Sequence, residues 1–228
     1  MVHKLTVFAG VTALMFAVPS AQADLHLVGP TQLGGQGFGN TLPILTLHDT
    51  EPPRTADNIE SGDVTPSGID TILGHNDTEK TVNKTSLRSF ADLGVTSASD
   101  LRIVFNGDEP GQSKSSIDLG SLDLTIYNGT TAVFTASLDH PYHFDSTFPG
   151  VGNSGFAFAL TDAQALAAQP FVTAQNTVGL SASLTNFEGG PETFSGASVN
   201  AVPEPGSIAM ILAGLAGVAG VVRRRLRG

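Results

Sequence analysis

Short apolar or alternating runs, separated by turn residues, fill the chain between residues 24 and 201, and this spacing is typical of β-strands. The clearest case lies at residues 122–138, where Leu122, Leu124 and Ile126 alternate with polar neighbours. An Asn128-Gly129 pair follows, and it readily takes the positive φ of a tight turn before apolar residues return. The pattern predicts a β-hairpin.

Other segments extend the β prediction. Further strands are predicted at residues 44–47, 101–105, 155–160 and 177–184. Thr161 and Gln164 have the spacing of a capping box, which predicts one short helix that ends before Pro170. Residues 86–93, closed by Gly94, are a second candidate helix. The expected fold is mainly β: a single antiparallel β-sandwich of jelly-roll or immunoglobulin-like type, with one or two short helices.

The end of the chain has a different pattern. In residues 202–206, Val202-Pro203-Glu204-Pro205-Gly206, two prolines fix φ and remove backbone donors, so Glu204 is expected on an extended, unpaired backbone. A transmembrane helix is predicted at residues 207–222, and its apolar part, residues 208–222, would be about 22 Å long against a hydrocarbon core of roughly 30 Å. The predicted anchor is therefore marginal. The basic tail, residues 223–228, contains Arg223, Arg224, Arg225 and Arg227.

This order of a short rigid motif, a brief hydrophobic span and a basic terminus resembles the PEP-CTERM sorting signal of Gram-negative bacteria. The resemblance covers residues 202–228 only. It implies an exosortase, a membrane protease-transpeptidase, as a partner. It also implies transient membrane anchoring followed by delivery to the cell surface or extracellular matrix. The activity of the preceding residues does not follow from it.

The first residues are typical of a secretory signal peptide. Lys4 precedes an apolar stretch at residues 5–18, and Ala21 and Ala23 supply the small side chains of a signal-peptidase site. Cleavage is expected after Ala23, with signal peptidase and the Sec translocon as partners. Positive charge at both ends of the chain predicts export across the inner membrane of everything between them.

These patterns divide the chain into three predicted parts. Residues 1–23 form the signal peptide, residues 24–201 an exported β-sandwich domain, here called the body, and residues 202–228 the sorting signal. The whole chain has 21 acidic residues and 11 lysines and arginines. Only Glu204 of the acids, but five of the bases, lie outside the body, which leaves the body a net charge of −14. Nucleic acid is therefore excluded as a partner, since phosphate binding needs clustered lysine and arginine.

The chain has no cysteine, so the exported body must fold without disulfides and has no thiol nucleophile. It also lacks the Gly-x-Ser-x-Gly, Gly-Lys-Ser/Thr and His-Glu-x-x-His motifs of common hydrolases and nucleotide-binding proteins. Three polar clusters remain as candidate metal sites. The first contains Asp139, His140, His143 and Asp145; the second Asp57, Asn58, Glu60 and Asp63; the third Asn106, Asp108 and Glu109.

Each cluster has a simpler structural interpretation. The first could gather its ligands around one ion only with a bend at Pro141, so a polar loop connecting two strands is preferred. The other two are oxygen-rich, as calcium requires, but they lack EF-hand spacing, and Asp, Asn and Gly are also the residues that turns need. We expect no metal site and no cofactor.

The sequence leaves two function classes. The preferred one is a non-catalytic structural or binding module of the cell envelope or extracellular matrix, associated with exopolysaccharide. The alternative is a secreted hydrolase or a calcium-dependent carbohydrate-binding module. Glycoside hydrolysis uses paired carboxylates beside aromatic sugar platforms, and this chain has no Trp and two Tyr. We therefore expect that the protein is not an enzyme.

Overall fold

A computed structural model describes residues 23–32, 41–48, 59–72, 77–81, 83–107, 116–145, 154–185 and 191–199. The predicted sorting signal and all of the predicted signal peptide except Ala23 lie outside these ranges. Among the described residues, no helix combines the length and the apolar character needed to cross a membrane.

The described residues form twelve strands, two short α-helices and two 3-10 helices. The strands are β1 (Ala23–Gln32), β2 (Leu42–Leu47), β3 (Ile59–Thr65), β4 (Gly68–Ile69), β5 (Arg88–Ser89), β6 (Leu101–Asn106), β7 (Ser116–Asn128), β8 (Thr131–Leu138), β9 (Tyr142–Asp145), β10 (Ser154–Leu160), β11 (Thr177–Thr185) and β12 (Glu192–Ser198). The helices are α1 (Phe90–Leu93) and α2 (Asp162–Ala168), and the 3-10 helices are η1 (Ala98–Asp100) and η2 (Gln169–Phe171).

All of these strands belong to one sheet, in the order β2-β12-β6-β10-β1-β8-β7-β11-β3-β4, with β5 beside β11 and β9 beside β7. The sheet curls into a half-barrel. The prediction of a mainly β fold is confirmed, and neither a jelly-roll nor an immunoglobulin-like sandwich is shown. The strand pairs of the described residues are antiparallel, with one exception at β1 and β8.

Strand β1 lies in the middle of the sheet. Its residues pair antiparallel with β10 from Leu25↔Leu160 to Gln32↔Ser154, and its first residues pair in parallel with β8, Leu25 opposite Leu138. Within the described residues, β1 is therefore the strand that joins the β2-β12-β6-β10 half to the β8-β7-β11-β3 half.

The start of β1 and the end of β12 lie at the same end of the sheet, measured along the strand direction. Ser198 is opposite Leu101 on β6, and β6 runs antiparallel to β10, whose last residue, Leu160, is opposite Leu25. Three strand spacings, roughly 14 Å in total, separate β1 from β12.

The predicted hairpin is confirmed as β7 and β8. The alternation of apolar and polar residues along β7 explains which of its side chains lie in the core. Leu122, Leu124 and Ile126 are fully buried on one face of β7, and Val178 to Leu184 on β11 repeat the same alternation beside them. Gly129 takes a φ of 60° in the turn, which supports the conformational reason for predicting it. The other predicted strands correspond to β2, β6, β10 and β11.

Aromatic side chains fill the other half of the core. The rings of Phe105 and Phe194 stack with centroids 4.8 Å apart, and those of Phe144 and Phe156 with centroids 4.0 Å apart. These contacts join β6, β12, β9 and β10. Buried aromatic pairs of this kind stabilise a fold by about 0.5–1.5 kcal/mol each beyond the area they bury.

The outer edge of β2 is covered by the segment that precedes α1. The backbone N–H groups of Glu79 and Ser86 donate to the carbonyl oxygens of Thr46 and Ile44, at 2.9 and 3.0 Å. The hydroxyl of Thr85 accepts from the Thr46 N–H at 3.2 Å. The edge therefore does not offer these backbone groups for pairing with another chain.

Only one of the two predicted helices lies where the sequence predicts it. Helix α2 begins as expected, with the Thr161 hydroxyl accepting from the Gln164 N–H, and a 3-10 turn carries the chain through Pro170. The prediction of a helix over residues 86–93 is wrong for its first half. Arg88 and Ser89 pair with β11 as β5, and Ser89 then caps α1 through a reciprocal capping box with Asp92, so the helix holds only residues 90–93.

Candidate functional site

The sorting residues predicted from the sequence lie outside the described residues. These are Val202, Pro203, Glu204, Pro205 and Gly206, together with Arg223, Arg224, Arg225 and Arg227; of the signal-cleavage residues, Ala21 is also outside. Ala23 begins β1. At the other end of the body, Val199 donates its N–H to the Asp100 carbonyl at 2.8 Å, directly after β12.

The first polar cluster does not converge on one point. Asp139 accepts hydrogen bonds from the His140 N–H at 3.0 Å and from the Tyr142 hydroxyl at 2.9 Å. The imidazole of His143 instead pairs with Asp118 on β7, and Asp145 closes β9. Burial raises the pKa of the Tyr142 hydroxyl. These polar groups therefore serve local contacts.

The interpretation of this cluster as a loop is correct for residues 139–141 and wrong for residues 142–145. The latter form β9, which pairs with β7 from Leu119↔Tyr142 to Ser116↔Asp145. Phe144 is buried and Tyr142 is partly buried, whereas His143 between them is exposed. This alternation is a period-two signal that sequence reasoning could have used to predict the strand.

The second cluster is divided between described and undescribed residues. Asp57 and Asn58 lie outside the described residues, and Glu60 and Asp63 lie buried within β3. The interpretation of Glu60 and Asp63 as turn residues is therefore wrong. Asp63 accepts from the Thr71 N–H and hydroxyl at 2.8 and 3.1 Å, and from the Ile72 N–H at 2.6 Å. Its carboxylate ties the segment after β4 back onto β3.

Two further carboxylates, which sequence reasoning did not single out, lie close to β3. Asp77 accepts from the Ser61 N–H at 3.0 Å. Asp70 has a φ of 57°, accepts from the Thr78 hydroxyl and lies 4.0 Å from the Lys80 ammonium. Burial raises the pKa of the Asp70 carboxyl, because desolvation of its charged form outweighs these contacts.

Gly62 explains how these groups fit together. A Cβ atom at Gly62 would lie 1.9 Å from the Thr78 hydroxyl oxygen and 3.0 Å from Asp70 Oδ1. The backbone of β3 thus leaves room for the Thr78–Asp70 pair.

Only one residue of the third cluster is among the described residues. Asn106 is the last residue of β6, and Asp108 and Glu109 lie outside the described residues. Across the described part of the chain, no group of three or more His, Asp and Glu side chains is arranged to hold a metal ion.

A separate cleft of about 340 Å³ lies between β1, β6, η1 and the start of α2. Its polar side chains are His26, Ser99, Arg102, Thr161 and Asp162. Arg102 donates from Nη1 to the carbonyl oxygens of Ser99 and Leu101, at 2.7 and 2.9 Å. Burial lowers the pKa of its guanidinium. Sequence reasoning missed this cleft because its residues come from three segments that are distant in the sequence, residues 26–28, 99–102 and 159–165.

Comparison with known proteins agrees with the tail pattern. The family model for the PEP-CTERM protein-sorting motif matches residues 201–226. No curated protein and no solved structure matches the chain. The chain thus has the C-terminal signal of exported proteins that are sorted by a membrane enzyme. The chain carries a PEP-CTERM sorting motif at residues 201–226, and this motif supports an exosortase-targeted, secreted protein.

The opposite pKa shifts of Asp70 and Asp92 give a pH-dependent prediction. The pKa of Asp70 is raised on folding, so the ionised carboxylate opposes folding at neutral pH and this cost is absent below the ordinary carboxyl pKa of 3.8. Asp70→Asn keeps an acceptor for Thr78 and tolerates positive φ. We expect the melting temperature of the body to rise by about 2–4 °C at pH 7 and to be unchanged near pH 3.

Asp92→Asn is the matched control of opposite sign. Hydrogen bonds from Ser89 lower the pKa of Asp92, so this carboxylate stabilises the fold at neutral pH and loses that effect as the pH falls through its folded-state pKa. The substitution should lower the melting temperature at pH 7 and have a smaller effect near pH 3. Thermal unfolding of both variants at the two pH values checks the pair. A loss of stability in Asp70→Asn at pH 7 would contradict the account.

Proposed function

We propose that the body is a non-catalytic structural or binding module of the cell envelope or extracellular matrix, and that it associates with exopolysaccharide. The observation that carries the proposal is how its carboxylates are used. Asp63, Asp77, Asp92, Asp123 and Asp139 each accept a hydrogen bond from a neighbouring protein group.

Hydrolysis requires carboxyl groups with a different arrangement. A general acid and a base or nucleophile must face the same substrate bond, about 5–9.5 Å apart in most glycosidases. The carboxylates described above instead accept from backbone N–H groups and hydroxyls of the protein itself, for example Asp63 from residues 71 and 72. This use favours a structural or binding role over a catalytic one.

Sorting completes the proposal. The chain is exported through the Sec translocon, loses its signal peptide to signal peptidase, and is held briefly in the membrane by residues 207–222. An exosortase then processes it and the body reaches the cell surface or matrix. Val202 follows Val199 by three residues, a reach of at most about 10 Å, so the folded body stays close to the site of processing.

Changing Pro203, Glu204 and Pro205 together to Ala tests the sorting step. We expect the variant to stay membrane-bound with its C-terminus intact in cells that have an exosortase, because the rigid extended motif is lost. Changing Glu51, Pro52 and Pro53 to Ala is the matched control and should leave processing normal. Intact mass of the protein from membrane and medium fractions gives the readout. Normal processing of the first variant would exclude the motif as the recognition element.

Co-sedimentation with polysaccharide tests the role of the body. The body should sediment with exopolysaccharide from its own cells and should leave the polymer's chain length unchanged. The amount bound should be the same in calcium and in EGTA. Shortened chains would indicate the hydrolase alternative, and binding only in calcium would indicate the calcium-dependent module. Absence of binding under all conditions would contradict the proposed association.

A further inference from the structure

The cleft between β1, β6, η1 and α2 contains a cation with unused hydrogen-bonding capacity. Arg102 uses Nη1 for the carbonyl oxygens of Ser99 and Leu101, and its Nε and Nη2 groups make no hydrogen bond with the described residues. None of the described carboxylates lies within 4.0 Å of its guanidinium, although Asp100 is near enough to attract it. This is notable in a body with a net charge of −14.

The unused edge of this guanidinium is suited to one class of group. Nε and Nη2 together present a planar fork of N–H donors, which matches the two oxygens of a carboxylate. Partial burial strengthens such a bond by excluding water. A multiply charged anion fits less well, because Asp162 lines the same cleft and Asp100 is close to Arg102.

The remaining lining suits hydroxyl groups and the face of a sugar ring. His26 lines the cleft; its Nδ1 is shielded from solvent and has no partner among the described residues, which leaves Nε2 as the ring nitrogen that can face a ligand. Ser99 and Asp162 add a hydroxyl and a carboxylate that can pair with sugar hydroxyls. Val28, 54% exposed, and Leu160 provide apolar surface. The volume of about 340 Å³ is enough for one or two sugar units.

We propose that this cleft binds a carboxylate-bearing sugar unit, with Arg102 as the carboxylate-binding residue and His26, Ser99 and Asp162 as hydroxyl-binding residues. The inference rests on the proposed association of the body with exopolysaccharide and names the class of polymer: an acidic one. Among the described residues, no Phe, Tyr or Trp side chain lines the cleft, so a single sugar binds weakly. When the clefts of many copies of the protein bind along one polymer, avidity strengthens the attachment of the polymer.

Titration of the full chain in detergent micelles, followed by amide NMR, tests the cleft. The probes are galacturonate, galactose and acetate at equal ionic strength, which separate the acidic sugar from a neutral sugar and from a carboxylate alone. We expect galacturonate to shift the signals of His26, Ser99 and Arg102 saturably at millimolar concentration. Galactose and acetate should bind at least about tenfold more weakly, because each lacks half of the contacts.

Variants then assign the contact. Arg102→Gln should weaken galacturonate binding at least about tenfold, since it removes a charge-assisted bidentate contact. Lys84→Gln removes the same charge from an exposed position on the segment covering β2 and should have no effect. Arg102→Lys keeps the charge without the planar fork and should retain only part of the affinity.

Several results would overturn the proposal: galacturonate shifts that do not saturate or that map away from the cleft, acetate binding as tightly as galacturonate, or unchanged affinity in Arg102→Gln. The wild-type map decides the matter even if that variant fails to fold. Polysaccharide co-sedimentation separates this failure from that of the proposed function. Wild-type chain that sediments with polymer while galacturonate leaves the cleft unchanged would refute the cleft and leave the association standing.

Discussion

The pairing of β1 with β10 on one side and β8 on the other is the interaction on which the rest of this structure depends. It supplies the backbone hydrogen bonds that join the two halves of the described sheet. The carbonyl of Leu25, whose side chain is fully buried, accepts from the Asp139 N–H at 3.0 Å, and the Leu27 N–H donates to the Tyr142 hydroxyl. The pairing of β1 with β10 shifts register between Leu27 and Gly29, where Gly29 has a φ of 140°. This β-bulge places Val28 on the outer surface. The same strand thus joins the two halves of the sheet and carries His26 and Val28 into the cleft.

The acidic character of the body becomes intelligible from its hydrogen bonds. Carboxylates such as Asp63 and Asp92 tie turns and helix ends to the sheet, so part of the negative charge serves the fold. Asp70 is the exception, because burial raises its pKa and its ionised form is held at a cost. Arg102 stands apart for the opposite reason: it is a partly buried cation that uses Nη1 within the fold and leaves Nε and Nη2 without a partner among the described residues. A partly buried charged residue with donors that the fold does not use, such as Arg102, is a candidate for binding a ligand.

The sequence was informative where side chains alternate and uninformative where they do not. The hairpin of β7 and β8 could be predicted because Leu122, Leu124 and Ile126 alternate with polar residues and Asn128-Gly129 follows. Strand β12 could not, since Ser195, Gly196, Ala197 and Ser198 are small and all buried, which leaves no polar face to mark the period. Strand β3 could not be predicted either, because Asp63, a charged residue, lies buried in it. The burial of Asp63 depends on hydrogen bonds from residues outside the strand, and no apolar pattern in the sequence marks those residues. The cleft gave no local signal, because tertiary pairing alone brings His26, Arg102 and Asp162 together.

Strand complementation tests most directly whether β1 holds the two halves of the sheet together. Thermal unfolding of a body that begins at residue 33 should be broad and shifted to low temperature, because β10 and β8 lose their shared partner. Adding a synthetic peptide of residues 24–32 should restore a single cooperative transition, whereas a peptide of the same composition in scrambled order should not. If the shortened body melts as the complete one does, with or without the peptide, the two halves do not depend on β1 and the account is contradicted.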